Sequence, residues 1–174
     1  MFKKQLNRFA LVAALVTTLG LMAPTVGLAA GPTGTGPNDA MAPTGTMEHL
    51  NVGQSRWYAF HSAGKDNNGD PSHVLITLFA QPDGSAGFNI WTRERLAENA
   101  TAANPAKDAP PIGEGTKMQA SSPDNPNVKY LFNGALVWAG GINEAGTYFV
   151  EVYQTGSQAS DYMLSIAGDA VSFP

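Results

Sequence analysis

Residues 146–154 read GTYFVEVYQ, and this stretch decides the fold class. Apolar and outward positions alternate along it, which is the period of two that a β-strand with one buried face shows. Five further stretches also carry strand patterns: QSRWYAFHS (54–62), SHVLITLFA (72–80), AGFNIWT (86–92), KYLFNGALVWAG (129–140) and DYMLSIAG (161–168). With seven to eight strands, Gly-rich turns and only one short helical segment at 92–103, the sequence predicts an all-β, antiparallel two-sheet β-sandwich.

The first thirty residues have the order of a secretory signal peptide. Three basic residues precede an apolar run over 9–22, and Ala29 and Ala30 supply a cleavage site. An uncleaved membrane anchor is the alternative, but Pro24 interrupts the run. We therefore expect residues 1–30 to be removed and the protein to be secreted, periplasmic or held at the cell surface, with no membrane span after cleavage.

The composition of the mature chain excludes several classes of function. The predicted signal peptide holds three of the 10 basic residues and none of the 14 acidic residues, so the mature net charge is about −7. A chain this acidic without a basic cluster is not expected to bind nucleic acid. The chain has no cysteine, which excludes disulfides, thiol nucleophiles and a lipoprotein anchor.

The mature chain divides into a leader and one domain. Residues 31–46 are rich in Gly, Pro and Thr and predict a flexible leader. Residues 47–174 predict a single β-sandwich domain. Within it, residues 104–127 contain five prolines and few large apolar residues, which predicts a long surface loop.

Several motifs resemble the bacterial pre-peptidase C-terminal domain family. They are LVWAGGINEAGTYFVEVY at 136–153, YMLSI at 162–166, PND at 37–39 and RWYAF at 56–60. The resemblance implies a jelly-roll-like sandwich that serves as an accessory domain of secreted bacterial proteins. It also implies calcium, collagen or carbohydrate as ligand classes, since different relatives bind each of them.

The chain departs from that family in two places. Gly36 and Pro37 precede the Asn-Asp pair, where the family has an acidic residue, and Asn89 stands where a carboxylate is expected. Both changes weaken a calcium site carried over from the family. The domain also normally accompanies a protease, for which this chain has no room.

The segment KDNNGDP at 65–71 is a candidate metal site. Asp66, Asn68 and Asp70 have the alternate spacing of a calcium loop, but Pro71 and Thr77 occupy the positions where an EF-hand needs Gly and Glu. Asn-Gly between two strands is instead a hairpin signal. The sequence therefore favours a turn and no cofactor, with calcium at millimolar affinity as the alternative, here or at Asn38 and Asp39.

We find no catalytic motif. The chain lacks G-x-S-x-G, H-E-x-x-H and a phosphate-binding glycine loop. His61 and His73 flank the KDNNGDP segment and could bind zinc together with Asp66 or Asp70. The alternative is that both histidines lie at strand ends near solvent and bind no metal. No catalytic residue is therefore predicted.

Three aromatic residues are candidates for ligand binding. The strand alternation places one set of residues toward the core: Tyr58, Phe60, Tyr148, Val150 and Val152. Trp57, Phe149 and Tyr153 then face outward and could contact a sugar ring, a peptide or a partner domain. The alternative is that the 104–127 loop covers them. The sequence thus favours a non-catalytic binding or adhesion module of the bacterial envelope or extracellular space, with polysaccharide, an extracellular protein or an envelope component as partner. A surface-layer or fibre subunit is the first alternative and a secreted hydrolase the second.

Overall fold

The alternating stretches form two antiparallel five-stranded sheets. A computed structural model describes residues 32–117 and 134–174. Its strands are β1 (Glu48–Leu50), β2 (Ser55–Ser62), β3 (Ser72–Gln81), β4 (Ala86–Thr92), β5 (Gly113–Glu114), β6 (Thr116–Lys117), β7 (Leu136–Ile142), β8 (Gly146–Gln154), β9 (Ser160–Gly168) and β10 (Val171–Ser172). Sheet A has the order β10-β2-β8-β4-β5, and sheet B has the order β1-β9-β3-β7-β6.

These strand orders define a jelly-roll. Without β6 and β10, which add one short edge strand to each sheet, the sheets read 1-9-3-7 and 2-8-4-5, so eight strands form two interleaved four-stranded sheets. Successive long strands lie alternately in the two sheets, and each connection therefore crosses between them. The predicted two-sheet, antiparallel, all-β sandwich is confirmed.

The core lies between the two sheets and is formed by one face of each strand. In β8, for example, Tyr148, Val150 and Val152 point inward, as the alternation predicts, and β9 places Tyr162, Leu164 and Ile166 opposite them. Both sets are buried. Because a one-residue shift would turn these apolar side chains to solvent, the pattern fixes the register of each strand.

The segment between β4 and β7 differs from the predicted loop. Helix α1 (Arg93–Thr101) confirms the helical character of 92–103, and Thr92 caps it by accepting a hydrogen bond from Arg95 N at 3.2 Å. Helix α2 (Pro105–Asp108) and strands β5 and β6 follow, so the segment predicted as a long surface loop contains short regular elements over 104–117. The rest of that loop and the start of the strand predicted at 129–140 lie outside the described residues.

The first part of the predicted flexible leader is bound to sheet A. A 3₁₀ turn at Pro37–Asp39 precedes Met41, whose N–H donates to Trp57 O at 3.1 Å and whose carbonyl accepts from Ala59 N at 2.9 Å. Trp57 N also donates to Gly34 O at 2.8 Å. Flexibility is therefore a wrong prediction for this part, because it pairs with backbone groups at the edge of β2.

The predicted signal peptide at 1–30 lies outside the described residues. Within the part of the chain that the structure does describe, no helix has both the length and the apolar content needed to cross a membrane.

Candidate ligand-binding face

The outer face of sheet A brings one predicted aromatic residue into line with three polar residues. The register places Trp57 of β2 opposite Glu151 of β8, Glu151 opposite Asn89 of β4, and Asn89 opposite Glu114 of β5. Directly paired residues point to the same side of a sheet, and the strand neighbours of Glu151 and Asn89 are buried in the core on the other side: Val150, Val152, Phe88 and Ile90. We call these four residues the cross-strand row. With about 4.8 Å between strands, it spans roughly 14 Å.

Tyr153 lies beside this row. It is paired with Gly87 of β4, and a Cβ atom at Gly87 would lie only 2.8 Å from the Tyr153 ring and hydroxyl, so the ring crosses over the glycine. Burial raises the pKa of Tyr153, and the negative charges of Glu114 and then Glu151 raise it further. The phenol of Tyr153 therefore remains protonated beyond its ordinary pH range and can donate as well as accept a hydrogen bond.

Trp57 and Tyr153 both keep part of their surface accessible to solvent. Each ring thus offers an apolar surface next to hydrogen-bonding groups. This is the chemistry of a shallow ligand-binding face. The predicted role of the two residues in ligand binding stays a prediction.

Phe149 does not belong to the exposed face. It is only 3% exposed and packs against Trp91, with Leu96 of α1 and Ala40 of the leader covering the pair. The Arg93 guanidinium lies 5.5 Å from the centre of the Phe149 ring. The prediction that Phe149 faces solvent is wrong because α1 and the leader, rather than the predicted loop, cover this part of sheet A.

Sequence reasoning missed three of the polar residues of this face. Glu151 lies on the same strand face as Phe149 and Tyr153 and alternates with Val150 and Val152, so its outward direction was readable from the strand pattern. Asn89 was noted only as a missing carboxylate. Glu114 lies in a two-residue strand, which is too short to give any periodic signal.

The KDNNGDP segment forms a turn that Asp66 closes. Asp66 Oδ1 accepts hydrogen bonds from the backbone N–H groups of Asn68 at 2.8 Å and Asp70 at 2.9 Å, and Gly69 adopts a φ of 87°. The bond from Asn68 N is the main cause that lowers the pKa of Asp66. The turn is confirmed, but a hairpin between the flanking strands is wrong because β2 and β3 lie in different sheets.

This turn is a poor match for a high-affinity calcium site. The second oxygen of Asp66 accepts from the Asn68 side chain at 3.2 Å, so both oxygens already serve the turn. Calcium prefers six to eight oxygen ligands. Of the carboxylates of Asp66 and Asp70, only that of Asp70 takes no part in the hydrogen bonds that close the turn. Millimolar calcium binding at Asp66, Asn68 and Asp70 stays a prediction.

The other candidate metal ligands are dispersed. Asp39 accepts hydrogen bonds from the backbone and hydroxyl of Thr33, which lower its pKa. His61 and His73 are exposed on strands of different sheets. Over residues 32–117 and 134–174, no three His, Asp or Glu side chains are placed to hold one metal ion.

Comparisons with known proteins give distant structural similarity alone. No protein-family model matches the chain, and no curated protein matches it. One similar solved structure is PliG of Aeromonas hydrophila, a periplasmic inhibitor of g-type lysozyme, with a TM-score of 0.40 and 15% identity over 71% of this chain and 82% of that one.

A second similar structure is the pre-peptidase C-terminal domain of a collagenase from Bacillus anthracis. It has a TM-score of 0.42 and 12% identity, over 71% of this chain and 89% of that one. The Bacillus anthracis domain carries the name of the family that the sequence motifs resemble. With TM-scores below 0.5 and identities of 15% and 12%, neither similarity supports a conclusion about this protein, and the family assignment stays a resemblance.

Proposed function

We propose that the protein is an exported, non-catalytic jelly-roll module that binds a neutral polysaccharide through the outer face of sheet A. The observation that carries this proposal is the arrangement of two partly exposed rings, Trp57 and Tyr153, beside an amide and two carboxylates on adjacent strands.

The chemistry of this face matches that of a sugar. Aromatic ring faces pack against the apolar C–H surface of a sugar ring, while its hydroxyl groups both donate and accept hydrogen bonds. Glu151 and Glu114 accept such bonds, and Asn89 can donate and accept them. Amphipathic recognition of this kind needs a few polar groups placed around an apolar surface.

The charge of the face selects among polysaccharides. Glu151 and Glu114 lie on the same outer surface, and the mature chain carries a net charge of about −7. Anionic polymers are therefore repelled, whereas neutral polymers are not. This supports a neutral glycan rather than an acidic one as the partner.

Export is the second part of the proposal. It is supported by the charge, apolar run and small residues at 1–30, which are typical of a signal peptide. An exported module of this kind would meet glycans of the envelope or the extracellular space.

A retention assay tests the proposal. The purified mature protein is passed over cellulose, chitin and xylan and, as anionic comparison, alginate. We expect retention on at least one neutral polymer and not on alginate. Retention on none of the three, or on alginate alone, would overturn the proposal.

The same preparation separates the alternatives. Release of reducing ends from a retained polymer would favour a hydrolase. Ordered filaments or lattices in negative-stain electron microscopy, without polymer binding, would favour a structural subunit.

A further inference from the structure

A cleft of about 650 Å³ lies at the β5 end of the cross-strand row. Asn89 and Glu114, which belong to the row, also line this cleft. We propose that the cleft binds the terminal unit of the same glycan, so that the protein recognises an oligosaccharide end as well as a sugar surface. This inference rests on the proposed function and extends its site.

Part of the cleft wall is built by the segment that the sequence predicts to be a long surface loop. Asn99 of α1 donates hydrogen bonds to Ala109 O at 2.9 Å and to Pro105 O at 3.4 Å, which hold α2 and the following residues against α1. Ala106 and Pro110 of this segment line the cleft together with Trp91 and Asn89 of β4. The cleft is therefore a built feature rather than a gap between mobile loops.

An unsatisfied buried donor points to a ligand here. Trp91 lines the cleft and is 6% exposed, and its Nε1–H is buried without an acceptor among the described residues. Leaving a buried donor unpaired costs about 1–3 kcal/mol, and such groups in a folded protein call for an explanation. Because Nε1 itself has less than 1 Å² of accessible surface, an oxygen atom of a ligand in the cleft would satisfy this donor after a small movement of the indole or its neighbours.

The lining selects the chemical class of that ligand. The Trp91 indole can only donate, Glu114 can only accept, and the Asn89 amide does both, so a ligand must supply donors and acceptors close together. Hydroxyl groups meet this requirement. A phosphate or carboxylate would lack donors and would meet the Glu114 charge, and the apolar surfaces of Ala106 and Pro110 suit the C–H faces of a sugar.

A length series with a blocking variant tests the assignment. The probes are cello- and chito-oligosaccharides of two, four and six units, measured by calorimetry with wild type, Ala106→Trp and Lys107→Trp. Both substituted positions are exposed on α2, but Ala106 lines the cleft whereas Lys107 does not, so Lys107→Trp is the matched control.

We expect the hexamer of one series to bind wild type at least about tenfold more tightly than the dimer. Ala106→Trp should remove this gain, and Lys107→Trp should keep it. In ¹⁵N–¹H spectra, the Trp91 indole N–H signal should move on addition of the hexamer to wild type and stay in place on its addition to Ala106→Trp.

The outcomes separate the cleft from the wider proposal. If binding is lost in Trp57→Ala but is independent of length and of Ala106→Trp, the cleft assignment is wrong and the proposed function stands. If neither series binds and no neutral polymer is retained, both are wrong.

Discussion

The hydroxyl groups of Tyr58 and Tyr162 meet in the core and join the two sheets. Tyr58 lies on β2 of sheet A and Tyr162 on β9 of sheet B, and both are 0% exposed. Tyr58 also donates to Glu48 Oε2 at 2.9 Å. This hydrogen-bonded group connects the sheets with protonated phenols, so alkaline pH is the perturbation that tests it.

The magnitude follows from the pKa of Tyr162. Burial is the main cause that raises this pKa to about 12, from an ordinary value of 10.0. Each pKa unit corresponds to about 1.4 kcal/mol, so this raised pKa adds about 3 kcal/mol to the free energy of unfolding below pH 10. Because the folded pKa is raised, this contribution is fully present below pH 10 and is lost as the pH rises from 10 to 12. Burial and the Tyr162 hydroxyl raise the pKa of Tyr58 as well, so its effect has the same sign.

Urea denaturation between pH 8 and pH 12 measures the effect, with Tyr162→Phe as the control. The variant loses a hydrogen bond at neutral pH but no longer carries the titrating group. The free energy of unfolding should therefore fall by about 3 kcal/mol more in wild type than in Tyr162→Phe over the alkaline range. Parallel pH curves for the two proteins, or ionisation of all five tyrosines near pH 10 in the folded state, would refute the reasoning.

Three further predictions concern the turns, calcium and export. Gly64→Ala should destabilise the fold by about 3 kcal/mol or more in urea denaturation, because φ is 79° and the new Cβ would lie 2.5 Å from a backbone nitrogen. Gly69→Ala is the control: its φ is 87° but the space around it is open, so the substitution should cost only about 1 kcal/mol. Equal losses of stability in the two variants would contradict the packing argument. Removing calcium with EDTA should shift the melting temperature by only a few degrees, since calcium at ten times its dissociation constant adds about 1.4 kcal/mol to the free energy of unfolding. A shift of about 15 °C that Asp66→Ala or Asp70→Ala abolishes would show a stronger site. Mass spectrometry of the exported protein should find cleavage after residue 29 or 30, and an intact membrane-bound chain would contradict it.

The strands were predictable from the sequence because each buries one face. The alternation in 146–154 alone gives the direction of every side chain in β8, and six such patterns give a sandwich. The pairing of the strands was less accessible, since it depends on contacts between distant segments. Asn68-Gly69 marks a turn correctly, yet local sequence cannot tell whether the flanking strands pair or lie in different sheets.

The candidate site was only partly predictable for the same reason. Trp57 and Tyr153 were found through their outward position in long strands. The burial of Phe149 depends on α1 and on the leader, which approach from elsewhere in the chain. Glu114 and the cleft depend on strands of two residues, whose position is set by backbone pairing and by the absence of a side chain at Gly113 and Gly115, where a Cβ would meet Trp138 and Phe88.

Binding by aromatic variants of the two sheet faces tests the central claim most directly. The dissociation constant for the retained neutral polysaccharide is measured by affinity electrophoresis for wild type, Trp57→Ala, Tyr153→Ala and Leu75→Ala. Leu75 is 36% exposed on sheet B and is the control for loss of an apolar side chain on the other face.

We expect each of the sheet A variants to bind about tenfold more weakly, corresponding to about 1.4 kcal/mol, while it remains folded by circular dichroism. Leu75→Ala should bind as wild type does. Wild-type affinity in both Trp57→Ala and Tyr153→Ala, or loss of binding in Leu75→Ala alone, would contradict the assignment of the ligand to the outer face of sheet A.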